Sequence, residues 1–413
     1  MANRSTPPAR AGEPSYLVPF ITVTILFGIF GFLTNLNSNL MPHLKSIFNL
    51  SYGPAMMAAV AWFFAYLVFS VPSAKLIEAV GYKYTMVISL FIMVVGALLF
   101  VPAAKDVSFP LFMAAIFVLA TGVTALQTSA NPYVSILGPE HSAPARLTLS
   151  QAFNSLGAAA APLVVGRFIL TDPSKVASKA SIAHTVQGPY LAIAASLFVL
   201  GFAIMFMHLP AITATRDFRP ASEGSPMMGR SIWSYRHTVL GMVGIFFYVG
   251  VEIALAAIAI SYFRTQGLSS IETASLLASF YYLFIMIGRF VGSAAMKWIG
   301  ADKLLAGLGV LGVGLLLVSM STHGLVAIWT LVLCGLANSI MYPTIFALGI
   351  AELGPMTSEG SGIITMGNVG GAVVPYLFGA MADKIGIQYA FIVPIVCYLY
   401  IAYYGLWGHK PTR

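Results

Sequence analysis

The sequence predicts an all-α integral membrane protein of twelve transmembrane helices, arranged as two six-helix pseudo-repeats. Three observations carry that prediction. The first is composition: 59% of the 413 residues are hydrophobic and 8% are charged, with a mean hydropathy of +0.88. A soluble domain carries about 25% charged residues, so a soluble enzyme, a nucleic-acid binder and a disordered scaffold are all excluded. The second is segmentation into apolar runs long enough to cross a bilayer, for which about 20 residues suffice. The third is an internal repeat.

In chain order, residues 1–16 are polar, hold three prolines and read as a tail. The spans follow at 17–41, 53–75, 84–104, 109–138, 146–170 and 188–209, then at 237–263, 271–297, 302–321, 325–350, 359–382 and 386–407. The run at 17–41 is too long for a signal-peptide core and has no small-residue cleavage site, so it reads as a retained span. The longest polar stretch, 210–236, separates a first half at 17–209 from a second at 237–407, and 408–413 is a short tail. With both termini inside, thirteen Lys and Arg fall on inner segments and seven on outer ones. That bias places termini and linker in the cytoplasm.

The repeat tests the division. Pro132-Tyr133-Val134-Ser135-Ile136-Leu137-Gly138 closes the fourth span and Pro343-Thr344-Ile345-Phe346-Ala347-Leu348-Gly349 the tenth, 211 residues later. Gly157, Pro162 and Gly166 align with Gly370, Pro375 and Gly379 at an offset of 213. Gly81-Tyr82-Lys83 and Gly300-Ala301-Asp302-Lys303 end the second and eighth spans at 219. Two six-helix halves in parallel repeat are the layout of the major facilitator fold.

Of thirteen acidic residues, only Glu252 lies in the middle of a span. A carboxylate in hydrocarbon is costly unless it faces a cavity or carries a proton, so Glu252 reads as a proton-coupling or binding group. The other reading is a neutral Glu hydrogen-bonded to a neighbouring helix. Neutral polar residues sit in several spans: Asn35 and Ser38 in the first, Gln127 and Asn131 in the fourth, Gln151 and Asn154 in the fifth, Asn338 and Tyr342 in the tenth and Asn368 in the eleventh. Asn35 with Asn39, Gln127 with Asn131, and Asn338 with Tyr342 are spaced i, i+4 and share helix faces. Amides and hydroxyls that donate and accept without fixed charge suit a neutral, hydroxyl-rich ligand. Singly each could be interhelical glue; converging from five spans they outline a cavity. Arg289 reads as a span-end residue that snorkels or pairs with loop acids, or as a gating charge between the halves. Gly307-Leu308-Gly309-Val310-Leu311-Gly312 fits a dinucleotide fingerprint by letter but has no strand before it, so it reads as close helix packing.

The seven histidines are scattered without ligand spacing and the two cysteines, Cys334 and Cys397, lie in apolar runs, so no metal site and no disulfide is expected. No nucleophile–base pair or acid–histidine cluster suggests a membrane enzyme. A receptor-like scaffold would add a soluble domain, and none is read.

Leu137-Gly138-Pro139-Glu140, the run Arg146 to Gly157, Ser129-Ala130-Asn131-Pro132-Tyr133-Val134, Met341 to Gly349, and Tyr248-Val249-Gly250 leading to Glu252 together resemble the fucose–galactose–glucose:proton symporter family of the major facilitator superfamily. The resemblance runs from about residue 26 to about 385. It implies proton-coupled uptake of a monosaccharide by alternating access across a bacterial inner membrane, with H+ as driving ion and no cofactor. It also implies that Gln151, Asn154 and Tyr342 lie in or near the sugar site. The chain departs from family members that carry an aspartate at the place of Ser38 and a glutamate at that of Gln127. It also departs at Ala254-Leu255-Ala256-Ala257 and Tyr281-Tyr282-Leu283-Phe284, where relatives are smaller or more polar. If proton coupling persists, Glu252 is the mid-span acid available for it. A facilitator, a sodium-coupled carrier and a carrier of a less polar solute are the alternatives. The expected partners are a sugar and the bilayer, with no nucleic acid and a monomeric chain.

Overall fold

The computed structural model describes residues 17–47, 52–106, 108–164, 179–207, 209 and 231–411, with the backbone course alone at 34, 36–47, 52–56, 162–164 and 179–186. The N-terminal tail, the last two residues of the C-terminal one, most of the predicted linker and the Ser38 side chain lie outside the described residues. Among the described residues there is no strand. The helices are α1 (Leu17–Ile47), α2 (Tyr52–Lys105), α3 (Phe109–Ile136), α4 (Ala143–Val164), α5 (Lys179–Phe206), α6 (Arg236–Thr265), α7 (Ile271–Ala295), α8 (Ala301–Ser321), α9 (Leu325–Asn338), α10 (Met341–Gly349), α11 (Thr357–Met366), α12 (Gly370–Ile385), α13 (Ile387–Ala390) and α14 (Ile392–Tyr403). Nine described stretches are long and apolar enough to cross a membrane; one of them, Met57–Lys105, contains two predicted spans, and Leu17–Leu33 is a shorter apolar helix. Large apolar side chains such as Val199, Phe206, Val291 and Leu399 stay exposed on the outside, as lipid-facing positions require. Consecutive spans alternate direction. One end of the bundle, called here the linker end, therefore carries Gly81, the 137–143 turn, residues 231–235, 296–300 and 350–356; the opposite end carries 106–108, 266–270, 322–324 and Gly386.

The helices follow most of the predicted spans, with four differences of path, one of them the break at Phe391 between α13 and α14 in the twelfth. The second and third spans, predicted to be separated by a loop at 76–83, form one helical run that reverses at Gly81 alone (φ 82°, ψ 166°). That conformation is open to glycine and costs another residue about 1–3 kcal/mol. Gly81→Ala should therefore lower stability by about that amount in a detergent melt, although an added Cβ would meet nothing within 4 Å; an unchanged melt would show that the turn relaxes.

The tenth span is broken between α9 and α10, and the eleventh is interrupted by a 3-10 turn at Gly367–Val369. Pro343 accounts for the first break. It has no N–H, so the carbonyl four residues earlier, Ser339 O, has no helical donor; Nε of Arg289 takes that carbonyl at 3.2 Å. The repeat partner Pro132 leaves α3 continuous but likewise frees Thr128 O, which accepts from Ser361 Oγ of α11 at 2.6 Å. Arg146 donates to Ser135 O (2.6 Å), Pro139 O (2.8 Å) and Val134 O (3.3 Å), capping the end of α3 where Gly138 turns with φ 124°.

The repeat is realised in the packing. An added Cβ at Gly157 would stand 1.9 Å from Gly28 O, and one at Gly370 would stand 1.9 Å from Phe246 O. The fifth span thus lies backbone-to-backbone on the first, and the eleventh on the seventh. The dinucleotide-like glycines lie within α8, where Gly309 meets Ala402 and Gly312 the Tyr398 ring, the close packing read from the sequence.

Candidate functional site

The two halves meet along a seam. At the linker end it is closed by polar contacts: Glu352 N donates to Glu140 Oε1 (3.0 Å), Ser358 Oγ to Glu78 Oε1 (3.0 Å) and Ser293 Oγ to Ala145 O (2.9 Å). Glu352 has φ 57°, the one described non-glycine residue with positive φ. Arg289 completes the closure. It is not at a span end reaching for water, as one sequence reading had it. It is 8% exposed, and from α7 it donates through Nη1 to Gln151 O of α4 (3.0 Å) and to Ser155 Oγ, and through Nε to Ser339 O. Among the described residues no carboxylate stands within ion-pair distance of it.

Away from that closure the seam opens. Ser275, Ser279, Tyr282, Met286, Arg289 and Ser293 share a face of α7 by i, i+4 and i+7 spacing. On that face Arg289 is buried, whereas Tyr282, two turns toward the opposite end, is 54% exposed. A serine-bearing helical face in an apolar bundle must look onto protein or water. Tyr282 is also within electrostatic reach of Glu252. Glu252 itself, mid-helix in α6, remains half-buried rather than sealed. A cleft entered from the opposite end accounts for all three.

At the base of the cleft lies a neutral polar cluster built from both halves. Tyr342 Oη donates to Gln127 Oε1 (3.4 Å) and Asn368 Nδ2 donates to Tyr342 Oη (3.5 Å). Gln151 Nε2 donates to Asn131 Oδ1 (3.3 Å), while Asn131 Nδ2 is buried without an acceptor. The buried Thr344 and Thr365 hydroxyls are also unpaired. Bonds this long are weak, and buried polar groups left unsatisfied are exceptions that call for an explanation.

The other predicted polar residues divide. Asn338 is 0% exposed; its Nδ2 donates to Tyr281 Oη (2.6 Å) and its Oδ1 accepts from Tyr398 Oη (2.8 Å), so its amide ties three helices together. Asn154 Nδ2 donates to Phe27 O of α1 (3.0 Å), an interhelical contact within the first half. Asn35 is half-buried on α1. Ser155, Ser361, Tyr248 and Tyr281 join the site without having been given a role in it from the sequence. Tyr281 Oη donates to the backbone carbonyl of Glu252 (3.4 Å). Tyr248 stands one turn before Glu252 on α6, its ring 6.0 Å from that of Tyr342. The i, i+4 spacing of Tyr248 and Glu252 was the available signal. Among the described residues no three His, Cys, Asp or Glu come together.

Two helical halves joined by polar contacts around a neutral polar centre belong to a membrane carrier rather than an enzyme. The chain belongs to the Major Facilitator Superfamily, whose family model matches residues 23–367. It is 42% identical to a glucose/galactose transporter of Brucella abortus over 97% of this chain and 96% of the relative. It is 33% identical to the L-fucose-proton symporter of Escherichia coli over 94% and 92%. A crystal structure of the transporter FucP in the outward conformation superposes with a TM-score of 0.86 at 30% identity, covering 97% of this chain and 100% of that one. The proton:xylose symporter XylE, at 15% identity and a TM-score of 0.74, shares the fold.

Proposed function

We propose that this protein carries a hexose across a bacterial inner membrane by alternating access, in symport with protons. The observation that carries the reading is the neutral cluster around Tyr342. Gln127 and Asn131 come from the first half, Tyr342 and Asn368 from the second, and they meet through bonds of 3.3–3.5 Å with an amide left over. Sugar hydroxyls, which both donate and accept, can replace those long bonds and satisfy the spare groups. The names of the relatives, a glucose/galactose transporter and an L-fucose-proton symporter, support the same class. Gln127, Asn131, Gln151, Tyr342 and Asn368 would bind the sugar, with Asn35 and Ser38 near its path. Asn154 and Asn338 would hold the wall behind them, and the proton would ride on Glu252.

The excess of Lys and Arg on inner segments supports a cytoplasmic linker end. A seam closed there and open opposite is then the outward-facing state. Arg289 acts as the gate, since opening the linker end must pull Gln151 and Ser155 away from it.

The test is uptake in proteoliposomes. Labelled glucose, galactose, fucose and N-acetylglucosamine are supplied with and without an inward proton gradient, to wild type and to Glu252→Gln. The expected result is gradient-driven accumulation of at least one hexose by wild type, and exchange without accumulation by the variant. Equilibration indifferent to pH would make the protein a facilitator. Failure with all four sugars would overturn the substrate class.

A further inference from the structure

We infer that His237 is a positioning residue of the linker-end closure: its ring aims the Ala351–Glu352 peptide at Glu140 across the seam, and Thr238 steadies the same turn. The inference rests on the linker-end contacts being a closure that parts during transport, and on nothing about the cargo. It begins from a titratable side chain that the carrier reading leaves unused. His237, in the first turn of α6, is 0% exposed. A buried polar ring needs a partner, and its Nε2 stands 2.9 Å from Ala351 O. A carbonyl oxygen only accepts, so Nε2 carries the proton and donates. Among the described residues Nδ1 has no partner, so the ring acts on the turn through one atom.

That carbonyl belongs to the same peptide unit whose N–H closes the seam. Ala351 O and Glu352 N are held in one planar group, and with the bond trans the C=O and N–H point in opposite directions. One line of contacts therefore runs from the second half to the first. His237 Nε2 donates to Ala351 O at 2.9 Å, and Glu352 N, at the other edge of the plane, donates to Glu140 Oε1 at 3.0 Å. Fixing the oxygen fixes where the N–H points. A donor on the oxygen also polarises the group, so the N–H donates more strongly. The aim needs such support, because Glu352 turns with φ 57°, a conformation costly for a residue with a Cβ. Thr238, next to His237, holds the turn at a second point: its Oγ1 donates to Gly349 O at 2.9 Å, a carbonyl at the end of α10 where helical donors run out. The turn can lie this close because α6 offers it a bare surface, where a Cβ on Gly241 would stand 3.4 Å from Gly349 Cα. His237 is itself fixed, its own carbonyl accepting from Tyr404 Oη at 3.1 Å.

The experiment reads the alkylation rate of Ser293→Cys, a reporter on the seam, in the full chain and in His237→Asn, His237→Gln, Glu140→Ala and His237→Asn/Glu140→Ala backgrounds, with thermal melting in detergent alongside. The two amides separate the ring nitrogens: glutamine carries its NH2 to about the place of Nε2, asparagine only to that of Nδ1. His237→Asn is expected to raise the rate by about threefold to tenfold, as loss of one hydrogen bond would, and His237→Gln to stay within about twofold of the parent. Glu140→Ala should raise the rate by itself, and adding His237→Asn to it should raise it no further, because both act on one contact. If His237→Asn leaves the rate unchanged, or raises it equally with and without Glu140, the inference is overturned while the closure stands. If His237→Gln behaves as His237→Asn does, the ring serves packing and the inference is again overturned. Should His237→Asn yield no folded protein, Thr238→Val, which deletes the bond to Gly349 O at nearly constant volume, replaces it with the same expectations and the same refutations. If Glu140→Ala alone leaves the rate unchanged, the contact is no closure, and the reading beneath the inference falls and takes the inference with it.

Discussion

Arg289→Ala is expected to cut transport at least about a hundredfold while leaving the chain inserted and folded. Two of its hydrogen bonds cross the seam, to Gln151 O and Ser155 Oγ. Bonds from a charged donor contribute about 1.5–3 kcal/mol each, so losing the pair shifts the closed-to-open balance by about 3 kcal/mol or more, a hundredfold in population. The loss also strands Ser339 O, which Pro343 has already deprived of a helical donor. Arg289→Lys should recover little, because a single ammonium cannot span partners on α4 and in the α9–α10 turn at once as the guanidinium fork does. The check is alkylation of Ser293→Cys, a position that faces Ala145 O across the seam. Its rate should rise in the Arg289→Ala background, against native Cys334 and Cys397, which are buried. An unchanged rate, with transport intact, would mean the gate is held by Glu78, Glu140 and Ser293 without Arg289.

The second large effect is on folding. Gly157→Val and Gly370→Val should yield no monodisperse protein, and even alanine at either site should destabilise by about 3 kcal/mol or more, the upper range of overpacking. A Cβ there would stand 1.9 Å from a backbone oxygen, and a backbone cannot swing aside as a side chain can. Gly379→Ala is the control: its repeat partner looks equivalent by sequence, yet a Cβ at Gly379 would meet nothing within 4 Å. Size-exclusion profiles of the three variants decide the matter. If Gly379→Ala is as damaging as Gly157→Ala, the contact argument is wrong.

Much of this was legible in the chain, for physical reasons that also mark where legibility stops. Span number, the division into halves and the pairing of Pro132 with Pro343 follow from hydropathy and repetition, which are local properties. The one-residue reversal at Gly81 was not legible, because hydropathy records which residues are apolar and not how tightly the chain turns between them. The roles of the amides were only partly so. Asn338 and Tyr342 share a helix face in the sequence. In space, Asn338 is spent on Tyr281 and Tyr398, while Tyr342 reaches across to Gln127. Whether a buried amide is glue or binding group depends on neighbours from other helices, which spacing along one helix does not report. Arg289 was misplaced in one reading for a similar reason. Its nearness to a span end suggested water, but two of the three acceptors that hold it are backbone carbonyls, to which every residue contributes one regardless of its letter. Tyr248 and Tyr281 were named only in stretches compared with the family, because spacing along one helix gave neither a role of its own.

The gate's dependence on main-chain atoms has a consequence for how such a carrier can change its diet. Gln151 O, Ser339 O, Thr128 O, Ala145 O and Glu352 N all serve the seam, and all of them survive replacement of the side chain they belong to. Gln151 can therefore lend its amide to one cargo, or give it up for another, without loosening the latch that its own carbonyl forms. On the proposed reading, recognition and closure meet in Gln151 on different atoms. A lineage, or a protein engineer, can retune the side chains at the centre one by one while the machinery of opening and shutting is inherited intact.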